Sequence, residues 1–144
     1  MFHKVKTAQA LPDMKLCIQF AEGISKIYDM SALIGSVDEF SVLRENLQLF
    51  YSVAVDTGGY GIVWNDDLDL SCDELWDNGM TIRTSFDGLL ALGDASRLWN
   101  LNESTLRKAI TYGKLVAGID VCKYGKQWVV SLSAMIREYG RLDD

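Results

Sequence analysis

The apolar positions that follow Asn102 recur with the period of an amphipathic helix. We expect this helix to begin after Asn102, a preferred N-cap residue, and to end at Tyr112-Gly113, because glycine is common just past a helix end. Its core-facing side carries Asn102, Leu106, Ala109 and Ile110. Its opposite side carries hydroxyl groups and cations, namely Ser104, Arg107, Lys108 and Thr111. Taken by itself, this helix fits either a solvated surface helix or one that contacts phosphates and base edges.

Short elements are predicted on both sides of this helix. Upstream, Asp94 to Trp99 predicts a short helix, which the turn Asn100-Leu101-Asn102 joins to the next one. Downstream, the pattern predicts a hairpin and a last helix: Ile119 to Lys123, the tip Tyr124-Gly125-Lys126, Gln127 to Val130, and a helix that Ser131 caps and Gly140 ends. The order of elements between Gly93 and Tyr139 is that of a winged helix-turn-helix.

The amino-terminal half has the period of strands, with short helices between them. Three runs predict an antiparallel meander: Val5 to Ala10, Lys15 to Phe20 and Ile24 to Asp29. The later segments predict short helices at Ser31 to Ile34 and Asp38 to Leu43, a hairpin of Phe50 to Val55 and Tyr60 to Trp64 around Thr57-Gly58-Gly59, and a helix from Cys72 to Asp77 after the capping box Ser71 to Glu74.

The predicted fold class is therefore α+β. A small antiparallel-sheet α+β domain is expected over residues 1–80, followed by a mainly helical, winged helix-turn-helix domain over residues 81–144. The boundary is expected between Asn78 and Asp87, and the apolar segment Phe86 to Leu92 is expected to dock the second domain.

The chain of 144 residues has a formal net charge of −6, which is distributed unevenly. Residues 1–80 contain five Lys or Arg against thirteen Asp or Glu, whereas residues 81–144 contain nine against seven. Between Gly93 and Arg137 the balance is +4, and the local field governs contact with DNA more than the net charge does. The acidic half suits a basic partner, although surface acidity also serves solubility.

The composition and the reactive residues argue against several other classes. An apolar content of 49% excludes disordered and collagen-like chains. The one histidine, His3, lies near the terminus, and we expect neither an enzyme nor a cofactor. A calcium loop counted from Asp67 fails at Cys72 and Asn78, so the acidic cluster there is interpreted as a solvated turn or a loose cation site, and no metal is expected. The three cysteines are interpreted as packing residues.

No apolar run approaches the roughly 20 residues that span a bilayer. The start Met1-Phe2-His3-Lys4 also lacks the apolar core of a signal peptide. We therefore expect a cytoplasmic protein that makes no membrane contact.

The second half resembles the helix-turn-helix domains of the excisionase and MerR-like kind found in small bacterial regulators. The resemblance is carried by Ala95, Leu98-Trp99, Ser104 to Ile110, Gly113, Lys123, Gly125, Trp128 to Val130, Ala134-Met135 and Tyr139-Gly140. It covers about a third of the chain. One departure is Gly93, where such domains usually place Ser or Thr as the first cap.

The first half resembles a small bacterial domain family of unknown function, mainly through hydrophobic spacing. The residues that carry it are Val5, Leu11 to Asp13, Leu16 to Phe20, Gly23, Phe40, Leu43, Phe50, Val53, Val55, Ile62, Trp64, Asp69-Leu70 and Leu75. Members of that family occur alone or fused to a helix-turn-helix, and some are encoded beside toxin genes and regarded as antitoxins. The resemblance implies a domain that binds a partner or dimerises.

These observations lead to the hypothesis of a bacterial DNA-binding transcriptional regulator of the antitoxin-type autorepressor class. The residues expected to bind double-stranded DNA are Ser104, Thr105, Arg107, Lys108, Thr111, Lys123 and Lys126. Of these, Ser104, Arg107, Lys108 and Thr111 are expected in the major groove, with Arg107 reading a base, and Lys123 and Lys126 on the backbone. A homodimer is expected, because one small module buries only about 600–1,000 Å² on DNA. The acidic domain would hold a toxin or another protein. The competing hypothesis is an adaptor whose helix-turn-helix fold contacts protein instead of DNA.

Overall fold

The computed structural model describes residues 2–142, which fold as two compact units. The N-terminal unit comprises residues 2–20 and 24–84, and the C-terminal unit comprises residues 21–23 and 85–142. The division expected after residue 80 falls inside the strand Met80–Ile82, which pairs with Ser25–Asp29 in the N-terminal unit. Both units combine helices with antiparallel sheets, so the α+β class is confirmed.

The N-terminal unit contains two antiparallel sheets and four short α-helices. Its strands are β1 Val5–Leu11, β2 Lys15–Phe20, β3 Ser25–Asp29, β4 Ala54–Val55, β5 Gly61–Asn65, β6 Leu68–Ser71 and β7 Met80–Ile82. Its helices are α1 Ser31–Ser36, α2 Val42–Glu45, α3 Leu47–Phe50 and α4 Cys72–Asn78, with 3-10 turns at Asp38–Ser41 and Thr57–Gly59. The strand orders are β1-β2-β3-β7 and β4-β5-β6.

The meander predicted for the start of the chain is confirmed. Leu16, Ile18 and Phe20 alternate along β2 and are fully buried, which is the pattern of a strand with one face on the core. The cap predicted for α4 is also present, since the Ser71 hydroxyl oxygen accepts the Glu74 backbone N–H at 3.1 Å.

One strand prediction in the N-terminal unit is wrong, and the strands β6 and β7 were not predicted. The segment predicted as a strand from Phe50 to Val55 starts in α3, because the Asn46 side chain caps that helix at the Leu49 N–H and Phe50 is buried. Only Ala54–Val55 is extended. The strand β6 was missed, because its acidic neighbours suggested a turn; in the structure its two leucines are buried and alternate with exposed positions.

The C-terminal unit packs three helices on a three-stranded antiparallel sheet of order β8-β10-β9. Its elements are β8 Leu89–Ala91, α5 Leu92–Leu98, α6 Glu103–Thr111, β9 Val121–Tyr124, β10 Gln127–Ser131 and α7 Leu132–Tyr139. Its core consists of Leu90, Leu92, Ala95, Leu106, Ala109, Leu115, Val121, Val130, Ala134 and Met135. The predicted order of helix, turn, helix, hairpin and helix is therefore present.

The ends of these elements differ from the sequence prediction at three places. Ala91 is the N-cap of α5, so Gly93 lies inside the helix and does not occupy the cap position. Asn100 takes a left-handed conformation, with φ 55°, in the turn after α5, where a glycine would be usual. Ile119 is not in a strand and is 80% exposed. The Val116 carbonyl accepts the backbone N–H groups of the next turn, from Ile119 to Val121, so β9 begins only at Val121.

The cysteines take three different environments. Cys72 is buried and Cys17 is half-buried, as expected of packing residues, but Cys122 is exposed on β9, so the prediction is wrong there. Among residues 2–142, no helix has the length and apolar character required to cross a bilayer.

Candidate nucleic-acid interface

The exposed face of α6 is the first component of the candidate site. Leu106 and Ala109 are buried, while five side chains predicted to bind DNA are exposed: Ser104, Thr105, Arg107, Lys108 and Thr111. The two predicted faces of the helix are therefore present, with one exception. Asn102 is exposed and does not join the apolar face; it occupies the N-cap position, but within the described residues its side chain caps no backbone N–H.

The hairpin is the second component. Tyr124 pairs with Gln127, so the tip is the two-residue loop Gly125-Lys126 and Tyr124 belongs to β9. Gly125 has φ 62°, a conformation that favours glycine and keeps the loop short. Lys126 is exposed at this tip. Lys123 lies opposite Trp128 on β10, and its Nζ is 5.5 Å from the centre of the Trp128 ring.

A cleft of about 480 Å³ lies between the first turns of α5 and α6 and the hairpin. It is lined by Leu92, Gly93, Glu103, Arg107, Tyr124, Lys126, Gln127 and Trp128. The cleft brings together Arg107 from the helix and Lys126 from the hairpin tip. The other predicted residues, Ser104, Thr105, Lys108, Thr111 and Lys123, are not part of its lining.

The Arg107 side chain forms an ion pair on the surface of α6. Its Nη2 and Nε groups donate to the same Glu103 oxygen, Oε2, at 2.6 and 3.2 Å. Thr111 donates its hydroxyl to the Arg107 backbone carbonyl at 3.1 Å, which leaves its oxygen lone pairs as acceptors. The Arg107 guanidinium is thus paired with an acidic neighbour one helical turn away.

The arginines of this region are paired with acids, and the lysines carry its excess of positive charge. Arg97 pairs with Asp94, and Arg137 makes two hydrogen bonds to Asp120, at 3.1 and 2.8 Å. The balance of +4 counted along the sequence therefore lies on lysines: Lys108, Lys114, Lys123 and Lys126. Lysine is a point charge suited to phosphates, whereas each of these arginines has at least one donor group engaged by an acid of the same unit.

The Asp120 pair stabilises the base of the hairpin. The Asp120 side chain is 5% exposed and also accepts the Val116 backbone N–H at 2.8 Å. Hydrogen bonds from Arg137 and Val116 hold the pKa of the Asp120 carboxyl below its usual range. Since Arg137 belongs to α7, this contact joins the loop before β9 to the last helix. Arg137 acts in the structure of the unit and does not add a free cation to the site.

The last helix is also joined to the turn between α5 and α6. The Ser131 hydroxyl oxygen accepts the Ala134 N–H at 3.1 Å, which confirms the predicted cap of α7. At the other end, the Trp99 indole N–H donates to the Gly140 carbonyl at 2.8 Å. The turn that separates the two helices is thereby held in place.

Sequence reasoning missed several residues of the cleft. Glu103 was assigned only a favourable position near the helix N-terminus, although its spacing of four from Arg107 is a signal for an ion pair. Gly93, Tyr124 and Gln127 carry no comparable signal, because their place in the cleft depends on how the hairpin packs beside the helices.

The remaining reactive groups were compared with the requirements of a metal site. Within residues 2–142, no group of three or more His, Cys, Asp or Glu side chains is arranged to hold a metal ion. The His3 ring stacks on Trp76, with ring centres 3.6 Å apart. These residues lie in the N-terminal unit, apart from the cleft lining.

The comparison with known proteins bears on the N-terminal half. The model of a family described as "Protein of unknown function (DUF2442)" matches residues 5–81, which is more than half of the chain. No curated protein and no solved structure matches the chain. The matched segment runs from β1 into β7 and corresponds to nearly the whole N-terminal unit.

Proposed function

We propose that this chain, which belongs to the DUF2442 family, is a DNA-binding transcriptional regulator that uses its C-terminal unit as a winged helix-turn-helix. The observation that carries the proposal is the shared cleft. Arg107 from the exposed face of α6 and Lys126 from the hairpin tip both line it. A helix that presents donors beside a hairpin that presents cations is an arrangement that suits one duplex groove and its adjacent backbone.

The proposed roles follow from the exposure of each group. The α6 helix would enter the major groove, which is wide enough for a helix, and present Ser104, Thr105, Arg107, Lys108 and Thr111 to base edges and phosphates. Lys126 would contact the backbone from the hairpin tip. Lys123, held over the Trp128 ring, would contribute to the same positive field.

The N-terminal unit would supply the second half of an antitoxin-type autorepressor. Its acidity suits a basic protein partner such as a toxin, and its exposed apolar side chains suit a protein contact. Phe2, Leu47 and Tyr51 are each more than half exposed. Pairing through this unit, with a second copy or another protein, would cover acidic surface that otherwise repels DNA, and would place two modules on one operator.

Fluorescence anisotropy with labelled duplexes tests the proposal on the full chain. One duplex carries the promoter of the chain's own gene and the other carries the same bases in scrambled order. The wild-type chain should prefer the promoter, and Arg107→Ala should remove that preference. Lys126→Ala should weaken binding to both duplexes alike and lower the salt slope by about 1.

Arg44→Ala is the matched control, because Arg44 is an exposed arginine of α2 in the N-terminal unit. It should leave the promoter preference unchanged. Equal and weak binding of the wild-type chain to the two duplexes would overturn the proposal.

That outcome would favour the second candidate function, a protein-contact adaptor. The observation in its favour is the exposure of large apolar side chains on the C-terminal unit: Tyr112 is 82% exposed and Ile119 is 80% exposed. An adaptor would bind a protein tightly through this unit and bind DNA without sequence preference.

A further inference from the structure

We infer that Glu103 is a specificity-determining residue, because its carboxylate positions Arg107 so that one edge of the guanidinium faces the duplex. This inference rests on the proposed DNA-binding function and adds a role for an acidic side chain within it. Glu103 would act through Arg107 and would not itself need to contact a base.

The hydrogen bonds define which edge of Arg107 is engaged. Glu103 Oε2 accepts from both Nε and Nη2, which together form the side edge of the guanidinium. The end edge, formed by Nη1 and the second hydrogen of Nη2, then points away from the carboxylate. Two parallel donors on that edge match the N7 and O6 acceptors that guanine presents in the major groove. A guanidinium held in this way has less rotamer freedom to lose when it binds.

The neighbouring helix supplies the space for this carboxylate. A methyl group at position 93 would lie 3.0 Å from Glu103 Oε1, so the carboxylate would have to shift by a few tenths of an ångström. The glycine therefore leaves room for one carboxylate oxygen beside α5, while the other oxygen holds Arg107. We refer to this pair of residues as the Gly93–Glu103 contact.

The Glu103 carboxylate of this contact has two opposite effects on DNA binding. The Glu103 side chain is 42% exposed, so its negative charge faces an approaching duplex and weakens binding to every sequence. By holding the guanidinium, it also raises the discrimination in favour of guanine. Removing the carboxylate should therefore strengthen non-specific binding and weaken sequence preference at the same time. A side chain that served only as a helix-terminal acid would not change the sequence preference when removed.

Selection from a pool of randomised duplexes, followed by sequencing, tests the inference with the full chain. The wild-type chain should enrich a guanine at one position of its preferred site. Glu103→Ala should reduce that discrimination about 2-fold, because Arg107 remains and only the exposed i,i+4 pair that positions it is lost. Its affinity for unselected duplex should rise about 2- to 5-fold, because one surface charge is removed. Glu103→Gln, which retains one acceptor oxygen, should keep part of the discrimination.

Two further variants separate positioning from charge and from folding. Gly93→Ala keeps the carboxylate but displaces it by a few tenths of an ångström, so this variant should lose part of the discrimination without gaining non-specific affinity. Alanine favours helix, so α5 should still form. In an Arg107→Lys background, Glu103→Ala should cause no further loss of guanine preference. Glu45→Gln removes an exposed charge from α2 in the N-terminal unit and serves as the charge control, with no change in preference expected.

The outcomes are distinguishable. If Glu103→Ala strengthens binding to all duplexes and the guanine preference persists, Glu103 acts as a charge alone and the inference is overturned while DNA binding stands. The inference is likewise overturned if this variant lowers the melting temperature and leaves the preference unchanged. If the wild-type chain enriches no sequence at all, the proposed function fails and the inference fails with it.

Discussion

Leu106→Ala is expected to destabilise the C-terminal unit by about 3–4 kcal/mol. The Leu106 side chain is fully buried in the core of that unit and, with Ala109, forms the buried face of α6. Truncation removes three carbon groups, which at about 0.8 kcal/mol each amounts to roughly 2.4 kcal/mol of transfer free energy. The cavity left behind adds about 1 kcal/mol, because close-packed neighbours relax only in part.

Ile119→Ala provides a matched control within the same unit. Ile119 is also an aliphatic residue of four side-chain carbons, but it is 80% exposed, so its truncation should change stability by less than about 0.5 kcal/mol. The assay is hydrogen exchange detected by mass spectrometry at a series of urea concentrations. Peptides from residues 85–142 report the unfolding free energy of the C-terminal unit separately from that of the N-terminal unit. A chain of two units need not unfold in one step. Equal losses in the two variants, or a loss below about 1 kcal/mol for Leu106→Ala, would refute the assignment of faces on α6.

Three other predictions concern the acid response, a tight turn and two helix caps. Asp120 has a lowered pKa in the folded state, so its contribution to stability is present above the unfolded pKa and is lost as the pH falls through the folded value. Asp120→Asn should therefore lower the urea midpoint of the C-terminal unit at neutral pH and flatten its decline toward about pH 2; an unchanged decline would contradict this. Gly59→Ala should destabilise the N-terminal unit more than Gly58→Ala, by at least about 1 kcal/mol in urea unfolding. Both glycines have φ near 80°, but the methyl group at Gly59 would lie 2.7 Å from a backbone oxygen of β1, whereas that at Gly58 meets a movable side chain. Ser131→Ala should lower stability by about 1 kcal/mol and Asn102→Ala by much less, because only the serine side chain makes the capping bond; equal effects in thermal unfolding would count against this.

The candidate site shows how far local pattern can predict a surface. Leu106 and Ala109 have helical spacing, and both are buried. Arg107 and Lys108 must then lie on the exposed side of the helix, as they do, and this can be inferred without knowing the rest of the fold. The glycine of the hairpin tip likewise places Lys126 at an exposed turn. The sequence did not predict that Arg107 and Lys126 share one cleft. That juxtaposition depends on the register of the hairpin and on its packing beside the helices.

The failures occurred where a distant contact or an unrecognised cap overrides the local pattern. Ile119 follows an apolar pattern typical of a strand, but Asp120 next to it is held by Arg137, and the backbone there forms a turn. In the N-terminal unit, Phe50 resembles the start of a strand, yet the cap provided by Asn46 makes it the end of a helix. The partner of Asp120 is 17 positions away and could not be identified from spacing, whereas the Asn46 cap spans three positions and was overlooked.

Local residue patterns were enough to predict the α+β class, the order of elements in the C-terminal unit, the two faces of α6 and the cap at Ser131. These features depend on periodicity and on hydrogen bonds that span three or four positions, so they can be inferred from neighbouring residues. The folded chain was needed to show that the arginines near the site are paired, that lysines carry the excess charge, and that Gly93 makes room for Glu103. The Arg137–Asp120 pair and the Gly93–Glu103 contact join residues of different elements, so packing in three dimensions is needed to show them. The pairs within α5 and α6 have spacings that the sequence offers, but the structure shows that they form.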